Sequence, residues 1–110
     1  MAMQAGVLSA CSLSSEMMVN FFEDFYWVYI LLSLKDGKKY TGYTINLPSR
    51  FEAHQQGKVK STKDRRPFKL IYFEGCLNQQ DAIKREKYLK THYGSMYLGN
   101  RLAKWISPCE

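Results

Sequence analysis

The chain has 110 residues, a mass of 12.9 kDa, a formal charge of +6 and a pI near 9.3. Its length holds one domain with a tail at most, and its 45% hydrophobic content excludes a wholly disordered chain. No apolar run approaches the roughly 18–20 residues of a membrane span.

Residues 1–24 form a leader, read as disordered or loosely helical. They lack the positive n-region and the apolar core of about 7–15 residues that a secretion signal needs. The charge divides at its end. Residues 1–34 contain Glu16, Glu23 and Asp24 but no Lys or Arg, whereas residues 35–110 hold all 16 basic residues. A compact basic segment points to an anionic partner, most often nucleic acid, with a merely soluble basic surface as the alternative. Cys11, Cys76 and Cys109 are odd in number and far apart, without a CxxC or Cys/His cluster. A structural zinc site and a disulfide framework are both poorly supported, and reduced cytoplasmic thiols fit best.

Residues 25–32, FYWVYILL, are aromatic and β-branched and read as a strand. Asp36-Gly37 signals a tight hairpin into a second, antiparallel strand over 39–44, where Gly42 suggests a bulge or a close backbone approach. Asn46 can cap a short helix that has Pro48 in its first turn and ends at Gly57. Residues 58–66 form a cationic loop closed by Pro67, and residues 68–73 a third strand. Asn78 and Asp81 resemble a capping box opening a helix to about Lys90; Gly94 breaks it, and 96–105 is helical again. The order β–β–α–β–α–α makes a small α+β fold over 25–106: a three-stranded antiparallel sheet flanked by helices, with 107–110 as a tail.

One polar residue sits on an apolar stripe. Ala82, Ile83, Leu89 and Tyr93 share a helix face, and Glu86 falls on it, while Lys84, Lys87 and Thr91 point outward. A buried carboxylate needs a cation, which a metal or a basic side chain such as Arg50 could supply; a half-exposed Glu at the stripe's edge is the alternative. Arg50 and His54, four residues apart, share one helix face beside Phe51. Tyr29 and Tyr40, on strands joined by a tight turn, can emerge near the same part of the sheet.

Trp27-Val28-Tyr29-Ile30, Tyr40-Thr41-Gly42-Tyr43-Thr44, Arg50-Phe51-Glu52-Ala53-His54 and Arg85-Glu86-Lys87, in this order, resemble the GIY-YIG endonuclease domain. The resemblance covers roughly residues 25–105 and is nearest to small stand-alone bacterial members, similar to the N-terminal nuclease domain of excinuclease C. The chain has Trp27-Val28-Tyr29 in place of Gly-Ile-Tyr and Tyr40-Thr41-Gly42 in place of Tyr-Ile-Gly. The resemblance implies a metal-dependent endonuclease acting on DNA, including branched or damaged structures in repair or recombination. A binding module that keeps the fold without turnover is the alternative.

By the same resemblance, Tyr29 is the general base, Tyr40 orients the water or the phosphate, and Arg50 stabilises transition-state charge. His54 supports proton transfer through Tyr29, Glu86 holds one divalent metal (Mg²⁺ or Mn²⁺), and Asn100 orders the site or contacts the phosphate. A tyrosine with its usual pKa near 10 is a poor base at neutral pH, so the Arg50 charge is expected to lower it. Lys58, Lys60, Lys63, Arg65 and Arg66 are candidates for contact with a phosphate backbone, against the alternative of a solvated loop. Such contacts carry little sequence information, so sequence-specific cleavage would require a partner protein. Oligomeric state is not legible in the sequence.

Overall fold

The computed structural model describes residues 22–106. Strand β1 (Tyr26–Ser33) is the centre of the molecule because both of its faces carry side chains that can be buried. Strand β2 (Lys39–Thr44) and strand β3 (Phe68–Cys76) flank it, both antiparallel, in the order β2–β1–β3. The turn between β1 and β2 follows the Asp-Gly expectation: Gly37 takes a φ of 73°, and its N–H donates to the Ser33 carbonyl at 2.9 Å.

The register between β1 and β2 is unbroken, with Tyr29 opposite Gly42 and Leu31 opposite Tyr40. The bulge allowed for at Gly42 is therefore absent; the irregularity lies between β1 and β3, at Ile30/Leu31. What Gly42 provides is room. A Cβ there would lie 2.7 Å from the Tyr29 hydroxyl oxygen, so any larger residue would displace the phenol.

Helix α1 (Leu47–Gln55) begins where the Asn46 side chain accepts from the Ser49 N–H at 3.1 Å, and stops before Gly57 at φ 78°. It packs on the sheet face formed by Tyr29, Leu31 and Phe68. Helices α2 (Gln79–Leu89) and α3 (His92–Arg101) cover the opposite face, burying Ala82, Leu89 and Leu98 against Val28 and Ile30. A short α4 (Ala103–Ile106) follows. The fold is thus the expected α+β arrangement of a three-stranded antiparallel sheet with flanking helices.

Some boundaries differ from the sequence reading. Gly94 lies inside α3, and the break falls at Lys90–Thr91, where the Thr91 hydroxyl accepts from the Gly94 N–H at 3.2 Å. Glycine is needed there because α3 starts hard against the end of α2, where a Cβ would collide with the Tyr88 carbonyl. Tyr93 consequently belongs to α3 and is 71% exposed, not part of the apolar stripe. The stretch 96–105 is divided at Leu102, and β3 continues to Cys76. The leader up to residue 21 and the tail 107–110, with Cys11 and Cys109, lie outside the described residues. Among the described residues, Cys76 is a free thiol and no helix is long and apolar enough to cross a membrane.

Candidate active site

Alternation along β1 sends Tyr29 toward α1, where the site is built around one buried histidine. His54 is 0% exposed and Tyr29 1% exposed, and the Tyr29 hydroxyl lies 2.9 Å from His54 Nε2. The other ring nitrogen, Nδ1, lies 2.8 Å from the Thr62 hydroxyl oxygen, which also donates to the Val59 carbonyl at 3.4 Å. Tyr40 joins from β2, its ring edge-on to His54 at 5.1 Å and tilted against Tyr29 at 6.3 Å. Phe68 of β3 meets the histidine edge-on at 6.0 Å and closes the apolar side. Arg50, one turn before His54 on α1, is exposed, and its guanidinium interacts with Tyr29 and, more weakly, with Tyr40.

Burial raises the Tyr29 pKa, and this outweighs the lowering by Arg50; the nearby Tyr40 and Glu86 add to the rise. The expectation that Arg50 would make Tyr29 acidic is thus corrected: Tyr29 is a phenol at neutral pH. Burial first, and then the Arg50 charge, push His54 down to about 4, so its imidazole is neutral at pH 7. A protonated phenol beside a neutral imidazole is a donor facing an acceptor. Glu86 approaches from α2, close enough for its charge to act on the Tyr29 hydroxyl. Its side chain is 17% exposed and pairs with Lys90 Nζ at 3.2 Å, not with Arg50. The cation required by the sequence argument is therefore Lys90, four residues along the same helix.

Residues 25–100 match the family model described as the GIY-YIG catalytic domain. The chain belongs to the GIY-YIG family. Among curated relatives, it is 48% identical over 63 residues to the UPF0213 protein of Pediococcus pentosaceus, covering 56% of this chain and 66% of that one. It is 48% identical over 65 residues to a UPF0213 protein of Clostridium perfringens, covering 58% and 69%. A UPF0213 protein of Staphylococcus aureus is 41% identical over 70 residues, covering 63% and 84%. The solution NMR structure of the UPF0213 protein from Bacillus halodurans aligns with a TM-score of 0.43 at 34% identity, covering 67% of this chain and 81% of that one.

Of the GIY-YIG motif residues, Tyr29, Tyr40, Arg50 and His54 converge on the α1 side of the sheet, whereas Glu86 lies on α2, bonded to Lys90, and acts on Tyr29 through its charge. Asn100 is exposed on α3, and its side chain makes no hydrogen bond or ion pair among the described residues.

No group of three or more His, Cys, Asp or Glu side chains is assembled among the described residues. The metal implied by the family would therefore have Glu86 as its protein carboxylate, with waters and a substrate phosphate completing its shell. That donor set suits Mg²⁺, which needs few protein oxygens. Lys90, 55% exposed, now holds that carboxylate, so an ion at Glu86 would take the place of its ammonium group.

The basic loop divides in two. Lys58, Lys60, Lys63 and Arg66 are exposed, with Arg66 Nε donating to the Lys63 carbonyl at 2.7 Å, whereas Arg65 is ion-paired to Asp36 at 3.0 Å and lies over the Phe68 ring at 5.9 Å. Arg65 is thus a brace between the loop and the hairpin turn, not a free cation. Sequence reading missed Thr62, which is 0% exposed inside this charge run. A signal was present: Val59 and Thr62, three residues apart, interrupt the run and are both buried. A groove of about 390 Å³ opens beside Tyr40, lined by Lys39, Thr41, Lys90 and Ser95 among others.

Proposed function

We propose that this protein is a metal-dependent endonuclease that hydrolyses DNA phosphodiester bonds, acting on branched or damaged structures in repair or recombination. The observation that carries the reading is the buried Tyr29–His54 pair, whose hydroxyl and Nε2 lie 2.9 Å apart. In this reading the attacking water gives its proton to the Tyr29 oxygen as the phenolic proton passes to His54 Nε2. Hydroxide then attacks phosphorus, and the bond to the leaving 3′ oxygen breaks. His54 thus makes a weakly acidic phenol into a working base. Arg50, the exposed member of the cluster, meets the non-bridging phosphate oxygens and neutralises the charge that develops on them. A divalent ion at Glu86, when bound, would stabilise the leaving oxygen as a Lewis acid.

Lys58, Lys60, Lys63 and Arg66 give sequence-independent contacts to a phosphate backbone, and the groove beside Tyr40 offers a path for the strand. Selection among DNA structures would then come from shape or from a partner protein. The test is incubation of purified protein with Mg²⁺ or Mn²⁺ and linear, supercoiled, flap and forked DNA. Cleavage is expected with wild type, and Glu86→Ala should abolish it while leaving retention on DNA intact. Salt-dependent retention with no cleavage of any substrate would leave a non-catalytic binding module instead.

A further inference from the structure

His54 is neutral and buried, so one ring nitrogen carries a proton and the other a lone pair. Which is which follows from counting donors and acceptors around it. Suppose first that Nε2 holds the proton. The Tyr29 oxygen would then accept from Nε2–H, while its own proton would have no hydrogen-bond acceptor among the described residues, in a side chain that is 1% exposed. The Thr62 hydroxyl would have to donate to Nδ1 and give up its contact with the Val59 carbonyl.

In the other tautomer every proton has an acceptor. Tyr29 donates to Nε2, Nδ1–H donates to the Thr62 oxygen at 2.8 Å, and Thr62 donates to the Val59 carbonyl at 3.4 Å. Buried polar groups favour the arrangement that leaves none unpaired.

We infer that Thr62 is a positioning residue that accepts from His54 Nδ1, fixes the tautomer, and so keeps Nε2 free to take the Tyr29 proton. The groups facing His54 agree with this from each element. Arg50 on α1 and Tyr29 on β1 form the polar side, Tyr40 on β2 and Phe68 on β3 present rings, and only the loop offers Nδ1 an acceptor. When His54 receives the proton it becomes an imidazolium whose Nδ1–H still points at Thr62 and whose new Nε2–H points back at Tyr29. No heavy atom has to move. Val59 and Thr62 are both buried, so the carbonyl that orients the hydroxyl is held as firmly as the hydroxyl itself.

The tautomer assignment stands on geometry alone; its bearing on catalysis rests on the endonuclease reading. The experiment separates the two. Long-range ¹H–¹⁵N correlation spectra of the His54 ring are recorded at pH 7 for wild type, Thr62→Val and Thr62→Ser, alongside single-turnover DNA cleavage. In wild type, Nδ1 should resonate as a protonated nitrogen and Nε2 as an unprotonated one. Thr62→Val should lose that preference and cleave roughly tenfold more slowly or worse without weaker DNA retention, whereas Thr62→Ser should restore both.

A wild-type spectrum with Nε2 protonated overturns the inference even if the valine variant fails to fold. So does a folded Thr62→Val that keeps the wild-type tautomer. If the spectra follow expectation but no variant cleaves DNA, the endonuclease reading fails and the tautomer assignment survives.

Discussion

The two faces of β1 are built from the same alternating strand yet filled by opposite means. On the α2–α3 face, Val28 and Ile30 meet Ala82, Leu89 and Leu98, an aliphatic core. Its polar groups stay at the edge and satisfy one another. Arg85 grips Glu74 at 2.8 and 3.2 Å, the Tyr72 hydroxyl donates to Glu74 at 2.8 Å, and the Tyr97 hydroxyl lies 3.1 Å from it. On the α1 face the polar groups are inside instead, with Tyr29, His54 and Thr62 all buried.

Both faces hold a tyrosine whose pKa is raised chiefly by burial. They differ in what surrounds the hydroxyl. Tyr72 donates to a carboxylate already held by Arg85, which makes a closed brace. Tyr29 donates to a neutral imidazole and borders an exposed Arg50, so it has somewhere to send a proton and a neighbour that can meet an anion. A buried phenol by itself indicates little; its acceptor and the charge beside it separate a brace from a site.

Removing the two hydroxyls in turn is the strongest way to break this contrast. Tyr29→Phe should lower the cleavage rate roughly 10²–10⁴-fold, since the proton path ends there. Tyr72→Phe should leave cleavage unchanged and lower stability by about 1 kcal/mol, read from the urea midpoint. Equal loss of cleavage in both variants would erase the distinction.

Acid sharpens the comparison further. The unfolded chain protonates His54 near its usual 6.5, but the folded chain resists until about 4. The unfolded state therefore binds more protons across that window, and stability falls as pH drops through it. Between pH 7 and 4.5 the His54 share is on the order of 2–3 kcal/mol. It fades to nothing about one unit above 6.5, where the unfolded histidine too is neutral. Denaturant titrations at both pH values should show this loss in wild type and a smaller one in His54→Asn.

The smallest effect concerns the basic loop. Reversing Arg66 should weaken DNA retention severalfold, with the difference shrinking as salt is raised. Reversing Arg65 should act mainly on stability, because its partners are Asp36 and Phe68. A larger binding defect at Arg65 than at Arg66 would contradict the division of the loop.

Much of this was legible in advance because it depends on local chemistry. The Asp36-Gly37 turn, the Asn46 and Asn78 caps and the glycine stop at Gly57 each act within a few residues. Glu86 betrayed itself by lying on an apolar stripe, whereas the motif tyrosines, Arg50 and His54 stood out through the family resemblance and not through their spacing. The α2–α3 boundary was misplaced because Gly94 serves a tertiary approach, the packing of α3 against the end of α2, rather than a local break.

The sequence by itself determined the elements, their order and the basic body, since propensity, capping and periodicity are properties of neighbours along the chain; the candidate site residues it offered only through resemblance. Tertiary structure alone decided which partner each side chain meets. It placed Lys90 rather than Arg50 on Glu86, tied Arg65 to Asp36 and brought Thr62 under His54. It also reversed the expected shift at Tyr29, because desolvation depends on everything packed around a hydroxyl and not on the nearest charge alone.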